Sequence, residues 1–149
     1  MHLTLPDSWQ VRDVPDEYQA AKYIAMGPRG YLGYSPSAVV TYEEGVSGTL
    51  DDWAAAMIEE SSQTIPGLHV IDVGGLEIAG HPAIVHALSM TVETVNVTQM
   101  QFALLTGGRR SARRPGYVVT VTCASADLPT IGDSLIDMAT SFEPSGGEQ

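Results

Sequence analysis

HPAIVHALSMTVETVNVTQMQFALLTG, residues 81–107, sets two long strand-like runs around a short polar break. In the run from His81 to Thr94, Ile84, Leu88, Met90 and Val92 share one face of an extended chain. In the run from Asn96 to Gly107, Met100, Phe102 and Leu104 share theirs. The link from Glu93 to Asn96 reads as a hairpin turn, which makes the pair antiparallel. GYVVTVTCAS, residues 116–125, follows with β-branched residues at period two and extends the meander.

A helix flanks the meander on either side. In GTLDDWAAAMIEESSQTIPG, residues 48–67, Leu50, Trp53, Ala54, Met57, Ile58 and Ser61 form one stripe at helical spacing. Thr49 is the expected N-cap, Asp51 and Asp52 favour the positive end of the helix dipole, and Pro66-Gly67 ends the run. The spacing predicts a helix over 50–64. Downstream, Leu128, Ile131, Leu135, Met138 and Phe142 predict a second amphipathic helix, with Asp127 as its N-cap.

Upstream, residues 20–26 and 38–43 read as strands, with the loop MGPRGYLGYSPS between them. LPDSWQV near the start reads as a short strand and a turn that folds Trp9 onto the core. LHVIDV and LEIAG are two further short strand-like runs. The expected fold class is therefore α+β, an antiparallel β-sheet with two main helices. Both helices are expected on one face, which leaves the other face solvated or covered by a partner. Residues 1–143 form one expected domain and 144–149 a disordered tail.

The chain has 149 residues, 18 acids against 7 bases, and a net charge of −11. That balance repels phosphate backbones and anionic membranes. Four of the seven bases fall in GGRRSARRPG, residues 107–116, where Arg109, Arg110, Arg113 and Arg114 are expected at a mobile hairpin tip. No aromatic lies in that cluster and no broader basic face supports it, so nucleic acid is not the expected partner. An acidic protein surface, including another copy's, suits these side chains better. Tyr31 and Tyr34, with Met26 beside them, are the next partner-binding candidates, because exposed loop aromatics often anchor interfaces.

The residues outline no catalytic set. His81 and His86 are five apart on one strand and so face opposite ways, and His69 and Asp72 share the odd offset. The single cysteine, Cys123, alternates with Val119 and Val121 as a small buried hydrophobe, with no base indicated. Gly74-Gly75 and Gly107-Gly108 lack the spacing of a phosphate loop. No enzyme, metal or cofactor is expected. The start MHLTLPDSWQ shows no leader, so the expected location is cytoplasmic, with the envelope or export as the alternative if a leader has been removed.

In order along the chain, LPDSW, YSPSAVVTYEE, TLDDWAAAMIEES, LEIAGHPAIVHALSM, TQMQFALL, YVVTVTCAS and the closing SFEP resemble the PsbP-like α/β/α sandwich superfamily. Within it the sequence is most similar to LpqN/LpqT-type lipoproteins and DcrB-like bacterial proteins. The marks are Leu5-Pro6 with Trp9, Gly80 with Pro82-Ala83, the glutamine-bearing strand, and Ser141-Phe142. The resemblance implies a non-enzymatic binding or adaptor module, since related proteins include envelope lipoproteins, photosystem accessory subunits, GTPase-binding factors and secretion chaperones. The chain departs from the lipoproteins in lacking a lipobox cysteine.

The expected function is thus a protein-binding adaptor or secretion-type chaperone that uses the open sheet face and adjacent loops. Its expected partner is another protein, secreted or envelope-borne, and an unpaired sheet edge or face is the expected route to a homodimer, if one forms. The alternative is a carrier of a small apolar ligand between sheet and helices, motivated by Met57, Met90, Met100 and Met138.

Overall fold

The computed structural model describes residues 1–107 and 113–144. Its elements run β1 (Gln10–Arg12), β2 (Ala21–Met26), β3 (Ser37–Ser47), α1 (Leu50–Thr64), β4 (His69–Ile78), β5 (His81–Val92), β6 (Val95–Leu105), β7 (Arg113–Ala124), a 3-10 turn (Ser125–Asp127) and α2 (Leu128–Thr140). The strands form one antiparallel sheet in the order β1-β2-β3-β7-β6-β5-β4. Between β3 and β4 the chain must pass three strand positions, and α1 makes that crossing over one face. The meander then returns, strand by strand, until β7 pairs with β3.

The central hairpin forms as the alternation predicts, with Val92 opposite Val95 across Glu93-Thr94. Helix α1 has the predicted bounds, and the Thr49 hydroxyl accepts from the Asp52 amide at 3.1 Å. Gly74-Gly75 does not divide LHVIDV from LEIAG; both belong to β4, which pairs with β5 along its length. His2 and Glu143 form a bridge, each amide donating to the other's carbonyl at 2.9 Å, and bring the first residues beside the end of α2.

The two helices do not share a face. Leu135, Met138 and Phe142 cluster with Phe102, Tyr117, Val119 and Val121, so the α2 layer covers one side. Gly116 precedes Tyr117 on β7 and therefore faces the opposite way. A Cβ placed on Gly116 would lie 2.6 Å from Trp53 Cη2 and 2.8 Å from Val46 Cγ2, so α1 lies on that second side. The expectation of one bare face is thereby corrected: helices cover parts of both. The physical sign is in β7 itself, where neighbouring residues from Gly116 to Val119 are all buried, as in a strand covered on both faces. Thr120, Thr122, Gln99 and Gln101 give the α1 side a polar look that a sequence reading takes for a solvated face. Instead, Gln99 donates to Thr122 at 3.3 Å and Gln101 to Gln99 at 3.0 Å.

His86, on β5, is buried on the α1 side, and burial holds its imidazole below the ordinary value of 6.5. The folded state thus binds a proton less readily than the unfolded chain. The stability that depends on neutral His86 is complete above pH 6.5 and is lost as the pH falls below it. Urea midpoints measured from pH 7.5 to 5 should fall more steeply for the wild type than for His86→Gln. Parallel slopes would remove His86 as a source of acid sensitivity.

Among the described residues, no helix is long and apolar enough to cross a membrane.

Candidate functional site

The loop between β2 and β3, residues 27–36, is held by its own backbone. Gly27 N–H donates to Pro36 O at 2.9 Å, Gly30 N–H to Tyr34 O at 3.0 Å, and Gly33 N–H to Gly30 O at 3.0 Å. A fourth bond comes from far along the chain, with the Tyr31 amide donating to Asp127 Oδ1 at 3.2 Å. Asp127 occupies the expected N-cap position of α2 but makes no capping bond. The helix-cap reading is corrected to a loop anchor. A Cβ on Gly30 would overlap the Asp127 carboxylate, so only glycine lets the loop approach this closely.

This anchoring leaves the Tyr31 side chain 89% exposed and Leu32 50% exposed. Beside them opens a cavity of about 410 Å³ between the loop, the N-terminal segment and α2. Its walls include Trp9, Pro28, Tyr31, Asp127, Ile131 and Leu135. Trp9 is half-buried against the main core, as expected, and its indole rests on Gly27. Tyr34, by contrast, is turned inward against Leu88, Met90 and Val97. Burial, and then the charge of a Cys123 thiolate, raise its hydroxyl above the ordinary value of 10.0.

The arginines lie elsewhere. Arg109 and Arg110 fall outside the described residues. Arg113 and Arg114 are not at a hairpin tip: both belong to β7, opposite Ser47 and Val46. Arg114 donates from Nε to Thr106 O at 3.2 Å and from Nη2 to Leu105 O at 3.3 Å, and so closes the end of the β6–β7 pair. Arg113 is exposed, with its aliphatic stem against Gly45. Tyr31 and Tyr34 sit at the other end of β7, roughly 30 Å away by strand rise. The arginines and tyrosines therefore do not form a single patch.

His81 and His86 face opposite sides, as their spacing predicts. His69 and Asp72 do not: a bulge between Val70 and Asp72 puts them opposite Ser89 and Ala87, on the same side. No group of three or more His, Cys, Asp or Glu among the described residues is placed to hold a metal ion. Cys123 is 1% exposed, and burial, with the Asp127 charge adding to it, pushes its thiol up to about 11. The native protein should leave the thiol unmodified by a disulfide reagent at pH 8 for hours, while the urea-unfolded protein reacts at once. Rapid labelling of the native state would show an accessible thiolate instead.

A second, apolar hollow of about 250 Å³ lies on the α2 side towards the sheet edge, where Leu76, Val85, Met100, Phe102 and Ile136 meet. α2 packs chiefly over β7, and its Ile136 borders this hollow beside residues of β4, β5 and β6. Val70 and Val73 on the edge strand β4 are also exposed, but their partners Leu88 and His86 place them on the α1 side, so they do not extend this hollow.

A seven-stranded antiparallel sheet with a helix layer on each side is the PsbP-like α+β fold, the fold of LpqN-type proteins. Among solved structures, LpqN of Mycobacterium tuberculosis, described as involved in cell envelope biogenesis, superposes with a TM-score of 0.67 at 15% identity, covering 93% of this chain and 79% of that one. PA94 of Pseudomonas aeruginosa, a protein of unknown function described as a putative regulator, gives 0.68 at 19% identity, covering 91% and 96%. The cyanobacterial PsbP of Synechocystis sp. PCC 6803 gives 0.63 at 16% identity, covering 95% and 84%. No protein-family model matches the chain, and no curated protein matches it in sequence. At these identities the likeness is one of fold.

Proposed function

We propose that the protein is a non-enzymatic binding module, an adaptor or chaperone that engages another protein through the β2–β3 loop. The observation that carries this reading is the exposed Tyr31-Leu32 pair on a loop held by four backbone donors. An apolar knob that is already ordered loses little entropy on docking, and a tyrosine adds a large contact area with few torsions to restrict. The net charge of −11 makes a basic partner surface the favoured one. The buried, protonated Cys123 supports a non-catalytic role. The resemblance to DcrB-like proteins, and the involvement of LpqN in cell envelope biogenesis, favour a secreted or envelope-borne partner. Arg113, at the far end of the sheet, is a separate candidate contact, together with Arg109 and Arg110, which lie outside the described residues, whereas Arg114 serves the fold.

In-cell cross-linking from a photoreactive residue at position 32 tests the reading. A repeatedly captured protein should be lost with Tyr31→Ser and retained with Arg113→Glu. Capture that is indifferent to Tyr31, or no repeated partner at all, would overturn it.

The apolar hollow around Met100 favours a second reading, a carrier of a small apolar ligand, since the flexible methionine side chain adapts to varied shapes. Native mass spectrometry of protein from its own host, with and without Met100→Glu, separates the two readings. A bound apolar species that the variant loses supports the carrier.

A further inference from the structure

The geometry points to the cavity beside Asp127 as a site for an organic ammonium group carried on an apolar body. Asp127 is 7% exposed, and its Oδ1 accepts from the Tyr31 amide. Its Oδ2 is buried with no hydrogen-bond partner among the described residues. Such an oxygen has given up water and received nothing in return, which folded proteins rarely tolerate without a use for the group. The positive end of α2 offsets part of the charge but supplies no donor to this oxygen. Gly30 lies against the carboxylate through its backbone alone. The last torsion of an aspartate is broad, so a modest turn of the carboxylate presents Oδ2 to the cavity.

The walls fit the same ligand chemistry. Trp9 and Tyr31 offer aromatic faces that attract a cation, and Pro28, Ile131 and Leu135 offer an apolar surface for its body. A volume of about 410 Å³ is within the range of small-molecule sites. The net charge of −11 raises the local concentration of cations. Arg29 also lines the cavity but is exposed, so its flexible stem can carry the guanidinium into solvent. The inference is independent of the partner-binding reading, because a free amine tests it with no partner present.

The probe is 2-phenylethylammonium, titrated into the full chain and followed by amide and indole chemical shifts. The same titration with 3-phenylpropionate and 3-phenylpropan-1-ol varies only the charge. Saturable shifts are expected at the Trp9 indole, Tyr31 and the first turn of α2, with the cation binding at least tenfold more tightly than either control. Asp127→Asn should weaken the cation at least tenfold; if that variant does not fold, the charge series on the wild type decides alone. A parallel titration with acetyl-Phe-Lys-amide identifies the source. Tighter binding of the peptide assigns the site to a partner's lysine, and tighter binding of the free amine assigns it to a small ligand. Equal binding of the three charge types, shifts centred away from Trp9 and Tyr31, or no saturation would overturn the inference.

Discussion

Replacing Phe142 with alanine is expected to destabilise the protein by about 3–5 kcal/mol, the largest loss of any change discussed. Phe142 is 1% exposed at the end of α2, and its ring centroid lies 5.3 Å from that of Tyr117. Tyr117 in turn lies 5.0 Å from Tyr42, so the three rings join α2 to β7 and β3. Removing the first ring leaves a void between stiff neighbours that cannot close over it, and the surrounding contacts are lost with it. The Glu143–His2 bridge should loosen as well, since Glu143 directly follows Phe142 in the chain. Urea unfolding measures the loss directly. A cost below about 1 kcal/mol would mean that α2 is not docked through Phe142.

On the other side of the sheet, Gly116→Val is expected to cost about 1–3 kcal/mol by overpacking. Even a Cβ at this position meets Trp53 at 2.6 Å and Val46 at 2.8 Å, and Val46 is buried with a β-branched side chain that has few rotamers to escape into. The pair of variants tests the three-layer architecture. Trp53→Leu should relieve more than half of the Gly116→Val penalty, because the two side chains compete for one space. Phe142→Ala should add to it within about 0.5 kcal/mol, because that ring lies across the sheet with no shared partner. Coupling to Phe142 that exceeded coupling to Trp53 would place both helices on one face after all.

The candidate site was legible in parts. Tyr31 stands out in the sequence because an aromatic in a glycine- and proline-rich loop has little local structure to bury it, and the structure leaves it exposed. Tyr34 has the same local sequence and is half-buried, because its position in the loop turns it towards β5 and β6, which lie far along the chain. Asp127 carries every local sign of a helix N-cap, standing just before Leu128-Pro129 at the start of an amphipathic run. Its actual partner is an amide 96 residues away. No local pattern encodes a bond of that span. The arginine cluster misled for a related reason: proline and glycine at 115–116 mark a turn by composition, but the ladder to β3 and the Arg114 bonds to Thr106 and Leu105 draw Arg113 and Arg114 into β7.

What the sequence determined by itself was local: the β5–β6 hairpin, the bounds and cap of α1, the apolar stripe of α2, and hence the α+β class. These follow from periodicity and turn chemistry, which act over a few residues. What only the tertiary structure decided was which face each helix covers, the joining of His69 and Asp72 on one side by a bulge, and the meeting of Asp127 with the β2–β3 loop. Those outcomes depend on how an amphipathic stripe chooses between two sheet faces that both carry apolar side chains. That choice is settled by the crossing of α1 from β3 to the far edge and by long-range burial, neither of which leaves a periodic trace in the chain.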